Sequence, residues 1–304
     1  MTAVVLDQVV KRYGQQRALN GLTMMVPKGA ICALIGPNGC GKTTTMGVIA
    51  GLLKVESGSI DVLGGGPFDA RTHAGRVSLM PQDANPSLHV PIVECLRFYA
   101  ELQGMEREQA KRSAIDCLAK VQLSERASAH FGQLSHGMRR RFSIAQALLG
   151  NPELILLDEP TSGLDPELVV QIRELIVRQR GEATLLVSSH ILSELETMCD
   201  YAIFVEQGRV IRQGTMAELT SVGSIVRYTL ARVPDMGVIE IGMQGCTLQW
   251  QAPILTVRAP KSQTVEDTNA KCLRLLLDQS VGILEVGTGQ SLEAAYMNLK
   301  QVRR

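Results

Sequence analysis

Eight consecutive residues, Gly36-Pro37-Asn38-Gly39-Cys40-Gly41-Lys42-Thr43, constrain this chain more than any other feature. They fit the pattern GxxxxGK followed by Ser or Thr, and they sit where the mechanism of that pattern requires. The short apolar run at 30–35, bounded by Gly29 and Gly36, reads as a buried strand, and a helical spacing of apolar residues continues through Leu53. A Gly-rich loop between strand and helix turns its backbone N–H groups inward around phosphates. The helix N-terminus adds a favourable dipole, Lys42 brings positive charge to the β- and γ-phosphates, and Thr43 offers a hydroxyl to Mg²⁺.

A second apolar run, 154–157, ends in Asp158-Glu159, and a third spans 183–188. Continuous apolar runs are what parallel sheets produce when helices cover both faces, so the expected core is α/β. Carboxylates at the C-terminal edge of such a strand lie where doubly wound sheets keep their ligands. Asp158 is therefore expected to be a Mg²⁺ partner and Glu159 a general base for water. Between Pro81 and Asn151 apolar residues recur three or four apart over 92–102, 106–121 and 138–149, which reads as a helical insertion at about 83–150. After Leu219 strands at 224–231, 254–259 and 281–286 alternate with helices at 264–278 and 292–299, a small α+β domain over 220–304. Gly64-Gly65-Gly66-Pro67 reads as a turn.

Composition narrows the function classes. At roughly 150 residues per domain, a chain of 304 residues suggests about two domains, one of them large. Lys and Arg number 31 against 30 Asp and Glu, so there is no basic field for a phosphate backbone, and no nucleic acid partner is expected. Aromatic residues, at 4%, are too few for a base-stacking platform. The seven cysteines are odd in number and none are spaced as CxxC, which points to a reducing compartment and no zinc site. No apolar run approaches the roughly 18 residues needed to span a bilayer, and the N-terminus lacks a secretory pattern. Any service to a membrane is expected to run through a partner.

Further features share one order along the chain. Tyr13 precedes the first Gly turn, Gln82 follows a strand, Leu134-Ser135-His136-Gly137-Met138 lies between the phosphate loop and the acidic strand, Ser162-Gly163-Leu164-Asp165 comes just past Glu159, and His190 follows the run at 183–188. Together they resemble the ABC ATPases over about residues 1–219. The resemblance implies a P-loop ABC ATPase cassette with a helical insertion, followed by the small C-terminal α+β domain, and hydrolysis of ATP with Mg²⁺. It implies nucleotide contacts from Tyr13, stacking on adenine, and from Gly36, Pro37, Asn38, Gly39, Cys40, Gly41, Lys42, Thr43 and Thr44. It also implies that two cassettes sandwich ATP head to tail, so that Ser135, Gly137 and Asp165 act across the dimer. Glu159, His190 and Gln82 are the implied catalytic residues, and Thr43, Gln82 and Asp158 the implied metal partners.

Thr43-Thr44-Thr45-Met46, the helix near Glu94 and Ser291-Leu292-Glu293-Ala294-Ala295-Tyr296 resemble the ATP-binding subunits of bacterial exporters of drugs, lipids or polysaccharides. This implies a subunit that pairs with itself or a similar ATPase and energises a separate integral membrane permease at the cytoplasmic face of the inner (plasma) membrane, docking through residues 83–102. A cassette that pulls on a membrane protein without moving substrate fits the same residues. A soluble ABC protein of DNA repair or the ribosome is disfavoured by the single cassette and the absence of a long coiled coil. The family's LSGGQ pattern is altered here at His136 and Met138, while the donors at Ser135 and Gly137 remain. Arg139-Arg140-Arg141 is expected to form a solvated or intersubunit charged face.

Overall fold

Strand formation begins well before the phosphate loop, in a segment whose alternation is interrupted. A computed structural model describes residues 1–81, 89–220, 224–260 and 262–301. Its first elements are β1 (Thr2–Tyr13) and β2 (Gln16–Pro27), paired antiparallel. Val4, Leu6 and Val9 of β1 are all buried, although the last breaks the period of two. The register slips between Leu6 and Val9, and Gln8 takes a positive φ of 49°, so a bulge returns the strand to its inward phase. Next come β3 (Ile31–Ile35), α1 (Lys42–Ile49) and β4 (Ser57–Val62), and β4 completes a three-stranded sheet in the order β2-β1-β4.

The chain continues through α2 (Ala70–His73), β5 (Val77–Met80), α3 (Ile92–Leu102), α4 (Arg107–Lys120) and α5 (His136–Ala147). It then alternates strand and helix: β6 (Leu154–Asp158), α6 (Pro166–Val177), β7 (Thr184–Ser188), α7 (Leu192–Met198), β8 (Tyr201–Glu206) and β9 (Arg209–Thr215). Six strands form a second sheet ordered β5-β6-β7-β3-β8-β9, parallel from β5 to β8. Every residue of β3, β6 and β7 is buried, which is why those segments read as unbroken apolar runs. The two sheets and α1 share one core, with Val4, Leu6, Met24, Leu34, Met46, Ile49, Leu156 and Leu186 in a single cluster. The turn between β8 and β9, Gln207-Gly208, has φ of 50° and 73°, the conformation of a two-residue hairpin turn.

Helix α5 starts two residues before its apolar spacing does, because the Ser135 hydroxyl caps it by accepting from the Met138 N–H at 3.3 Å. The expectation of a solvated Arg139-Arg140-Arg141 face is corrected: Arg140 is buried and its neighbours are half-buried. Successive residues on a helix point about 100° apart, so the three guanidinium groups diverge. Arg139 lies 5.4 Å from the Phe131 ring centroid and donates to the Gly132 carbonyl at 3.0 Å. Arg141 donates to the carbonyls of Val121 and Gln122 at 3.2 and 3.3 Å, just past the end of α4. Arg140 donates to the carbonyls of Asp158, Glu159 and Pro160.

Met1–Gly214 and Thr215–Arg304 are two compact units. The second contains α8 (Met216–Thr220), β10 (Ile225–Leu230), α9 (Met236–Gly242), β11 (Thr247–Gln251), β12 (Ile254–Arg258), α10 (Val265–Asp278), β13 (Ile283–Thr288) and α11 (Leu292–Gln301). Its sheet runs β11-β12-β10-β13 and is antiparallel throughout. Tyr228, Leu230, Leu255 and Val257 pack with Ile239, Cys272 and Leu276 to form its core. Thr264 caps α10 by accepting from the Asp267 N–H at 3.1 Å.

Candidate functional site

The Gly36–Thr43 loop leaves the C-terminal end of β3 and folds around its own lysine. Lys42 is only 7% exposed, and its ammonium donates to the carbonyls of Gly36 at 2.9 Å and Pro37 at 3.4 Å. Gly41 has a φ of 111°, and a Cβ there would stand 2.7 Å from the Ala18 carbonyl oxygen, so only glycine fits between loop and β2. From behind, the Gly208 N–H donates to the Cys40 carbonyl at 3.0 Å, and the Asn20 N–H donates to the Gly208 carbonyl at 2.9 Å. Burial pushes the Cys40 thiol up in spite of the nearby Lys42 ammonium, which keeps it protonated and confines it to packing.

Opposite the loop, β6 delivers its two carboxylates in different settings. Asp158 is 2% exposed and accepts from the Thr43 hydroxyl at 2.7 Å and the Ser188 hydroxyl at 2.5 Å. Glu159 has a φ of 52°, and its N–H donates to the Ser188 oxygen at 2.9 Å. The turn aims its carboxylate towards His190, whose Nδ1 lies 2.7 Å from Oε2. The result is an unbroken chain of contacts, Thr43 to Asp158 to Ser188 to Glu159, ending at His190. Ser188 joins the Asp158 carboxylate to the Glu159 backbone N–H, yet its importance depends on β7 pairing beside β6 with Asp158 opposite Ser188, a register no local pattern states.

Tyr13, Asn38, Gly39, Gly41, Lys42, Thr43, Thr44, Asp158, Glu159 and His190 line one cleft of about 470 Å³, with Gln16, Ala18 and Ser162. Gly36 and Pro37 contribute through the carbonyls that hold Lys42. The Thr43 hydroxyl and the Asp158 carboxylate converge as hard oxygen donors, the set that suits Mg²⁺. Among the described residues no group of three or more His, Cys, Asp or Glu could hold a metal, so phosphate and water oxygens would have to complete such a site.

The buried Cys40 thiol, implied as a nucleotide contact, packs in the core instead of lining the cleft, and three more candidates lie elsewhere. Ser135, Gly137 and Asp165 do not line the cleft. Ser135 caps α5, and Asp165 caps α6 by accepting from the Leu168 N–H at 3.0 Å. The two helix starts touch: a Cβ on Gly137 would come within 2.4 Å of Leu168 Cδ1, and one on Gly163 within 3.2 Å of His136 Nε2. Gln82, expected beside the metal, lies outside the described residues.

The sequence profile of a family described as ABC transporter matches residues 19–162. The Nod factor export ATP-binding protein I of Burkholderia orbicola is 36% identical over 211 residues, 68% of each chain. The linearmycin resistance ATP-binding protein of Bacillus subtilis is 34% identical over 242 residues, 77% of each chain. Among solved structures, an ATP-binding subunit of an ABC transporter is 29% identical with a TM-score of 0.65, covering 72% of this chain and 92% of that one. A dimeric ATP-binding cassette in a post-hydrolysis state, bound to ADP and Pi, is 25% identical with a TM-score of 0.64, covering 70% and 98%.

Proposed function

The chain belongs to the ABC transporter family of ATP-binding subunits, and from that premise we propose that the cleft between the phosphate loop and β6 is its ATP site and that it drives export through a membrane permease. The observation that carries this reading is the run of contacts from Thr43 through Asp158 and Ser188 to Glu159 and His190. It puts a phosphate-side hydroxyl, a metal-binding carboxylate and a base in fixed relation. The loop amides and Lys42 bind the β- and γ-phosphates, and Tyr13 receives the adenine. Thr43 and Asp158 would hold Mg²⁺, which when bound neutralises charge developing on the phosphate oxygens. Glu159 orients a water and takes its proton as the oxygen attacks the γ-phosphorus and the bond to the ADP oxygen breaks. His190 fixes the Glu159 carboxylate and faces the γ-phosphate.

Ser135 and Gly137 sit away from their own cleft at the N-terminus of α5, which supports a second copy, or a similar ATPase, closing head to tail over the nucleotide. Ser135→Arg is expected to abolish both closure and turnover by putting a bulky side chain where the partner's γ-phosphate must sit. His136→Gly is expected to stay within about threefold of the parent rate, because the Ser135 and Gly137 donors do the electrostatic work. Steady-state ATPase rates and sizing with ATP check both, and normal turnover by Ser135→Arg would remove the head-to-tail sandwich.

No helix among the described residues is long and apolar enough to cross a membrane. The permease contact is assigned to α3, where Phe98 and Leu102 are 53% and 67% exposed one turn apart. Glu94 on the same helix is already held by Arg97 at 2.7 Å, so the apolar pair is the sharper probe. Phe98→Asp is expected to abolish co-purification with an integral membrane protein from the cytoplasmic face of the inner membrane while basal hydrolysis persists. Undiminished co-purification of that variant would exclude this surface. Isolation of the parent protein from detergent-solubilised membranes with no integral membrane protein would exclude permease coupling as a whole.

A further inference from the structure

Arg140 is 8% exposed, and its guanidinium reaches the carbonyls at the end of β6. Its Nε donates to the Pro160 carbonyl at 3.0 Å and its Nη2 to the Asp158 carbonyl at 3.2 Å and to the Glu159 carbonyl. One rigid, planar donor thus holds three consecutive carbonyls centred on the proposed base, and Glu159 is the residue there with a left-handed backbone. Such a backbone persists in a non-glycine residue only where surrounding contacts over-determine it. Those contacts are the Ser188 oxygen on the Glu159 N–H and, on its carbonyl, Arg140 together with the Ser162 N–H at 3.2 Å. Arg140 does not line the cleft, and its guanidinium donates to the backbone carbonyls of Asp158, Glu159 and Pro160.

We propose that Arg140 is the positioning residue for Glu159: its guanidinium fixes the backbone turn that points the carboxylate at His190 and at the attacking water. The proposal rests on Glu159 being the base. A positioning error of about 1 Å costs on the order of 10²-fold in rate, so an effect on turnover of 10- to 100-fold is expected. Lysine, a single-point donor, can reach one carbonyl where arginine holds three, and is expected to restore part of the loss.

The test is a double-mutant cycle on the full chain, read as single-turnover ATP hydrolysis and as ATP affinity. Arg140→Met is expected to lower turnover about 10- to 100-fold with ATP affinity within twofold, and Arg140→Lys to fall between it and the parent. In a Glu159→Gln background, Arg140→Met is expected to cost less than a further twofold, since the group it positions is already gone. A structural role would instead weaken ATP binding, or would multiply the two losses, and either result overturns the proposal, as does parental turnover by Arg140→Met. Should the methionine variant fail to fold, the same cycle with lysine decides by the same criteria. Glu159→Gln at the parent rate would take down the assignment of the base and this proposal together, whereas a slow Glu159→Gln with additive losses removes Arg140 alone.

Discussion

Glu159→Gln is expected to lower ATP hydrolysis by about 10²- to 10⁴-fold, the usual worth of a positioned general base. The substitution keeps the size and one acceptor of the side chain but removes its ability to take a proton from water. It does not touch the phosphate loop, the Thr43 contact to Asp158, or the Ser188 hydroxyl that anchors the turn, so nucleotide affinity is expected to persist. Because closure precedes chemistry, the variant is expected to accumulate as an ATP-bound dimer. Steady-state hydrolysis beside size-exclusion chromatography in ATP measures both effects. Hydrolysis at the parent rate would remove Glu159 from the role of base.

Lys42→Ala is expected to fail at the earlier step. The ammonium sits within the loop on the Gly36 and Pro37 carbonyls, and its removal strips a charged donor from the phosphates and from the Gly36 carbonyl, while Pro37 keeps the Cys40 N–H at 3.2 Å. A hydrogen bond to a charged group is worth about 1.5–3 kcal/mol, so ATP affinity is expected to fall roughly 10- to 150-fold. Titration with a fluorescent ATP analogue distinguishes the two variants, one binding without turning over and the other binding weakly. Unchanged affinity in Lys42→Ala would count against the loop as the phosphate cradle.

Sequence legibility followed the range of the interactions. The phosphate loop, the buried strands β3, β6 and β7 and the Asp158-Glu159 pair were readable because each is a local pattern with a local cause. Strand β1 was not, since the bulge at Gln8 moves Val9 into the inward phase and breaks the alternation that announces a half-buried strand. Strand β11 alternates polar residues around Leu248 and Trp250, too weak a period over five residues to declare itself. Ser188 and Arg140 were invisible as parts of the site for a different reason. One reaches Asp158 through strand pairing across 30 positions, and the other reaches Glu159 from a helix 19 positions earlier. Read in sequence, three consecutive arginines look like a charged face, whereas in the fold each finds carbonyls to hold.

The hairpin turn at Gly208 has a bearing on how tightly this site can hold a ligand. Gly208 is wedged against β2, where a Cβ would stand 2.6 Å from the Ala18 carbonyl oxygen, and it grips Cys40 and Asn20 through its own peptide groups. A free glycine-rich loop would lose about 1–2 kcal/mol of backbone entropy per residue on closing around a phosphate. Here that disorder is removed when the chain folds, by a turn more than 160 positions away in sequence, so little of it is left to subtract from the affinity when the nucleotide arrives.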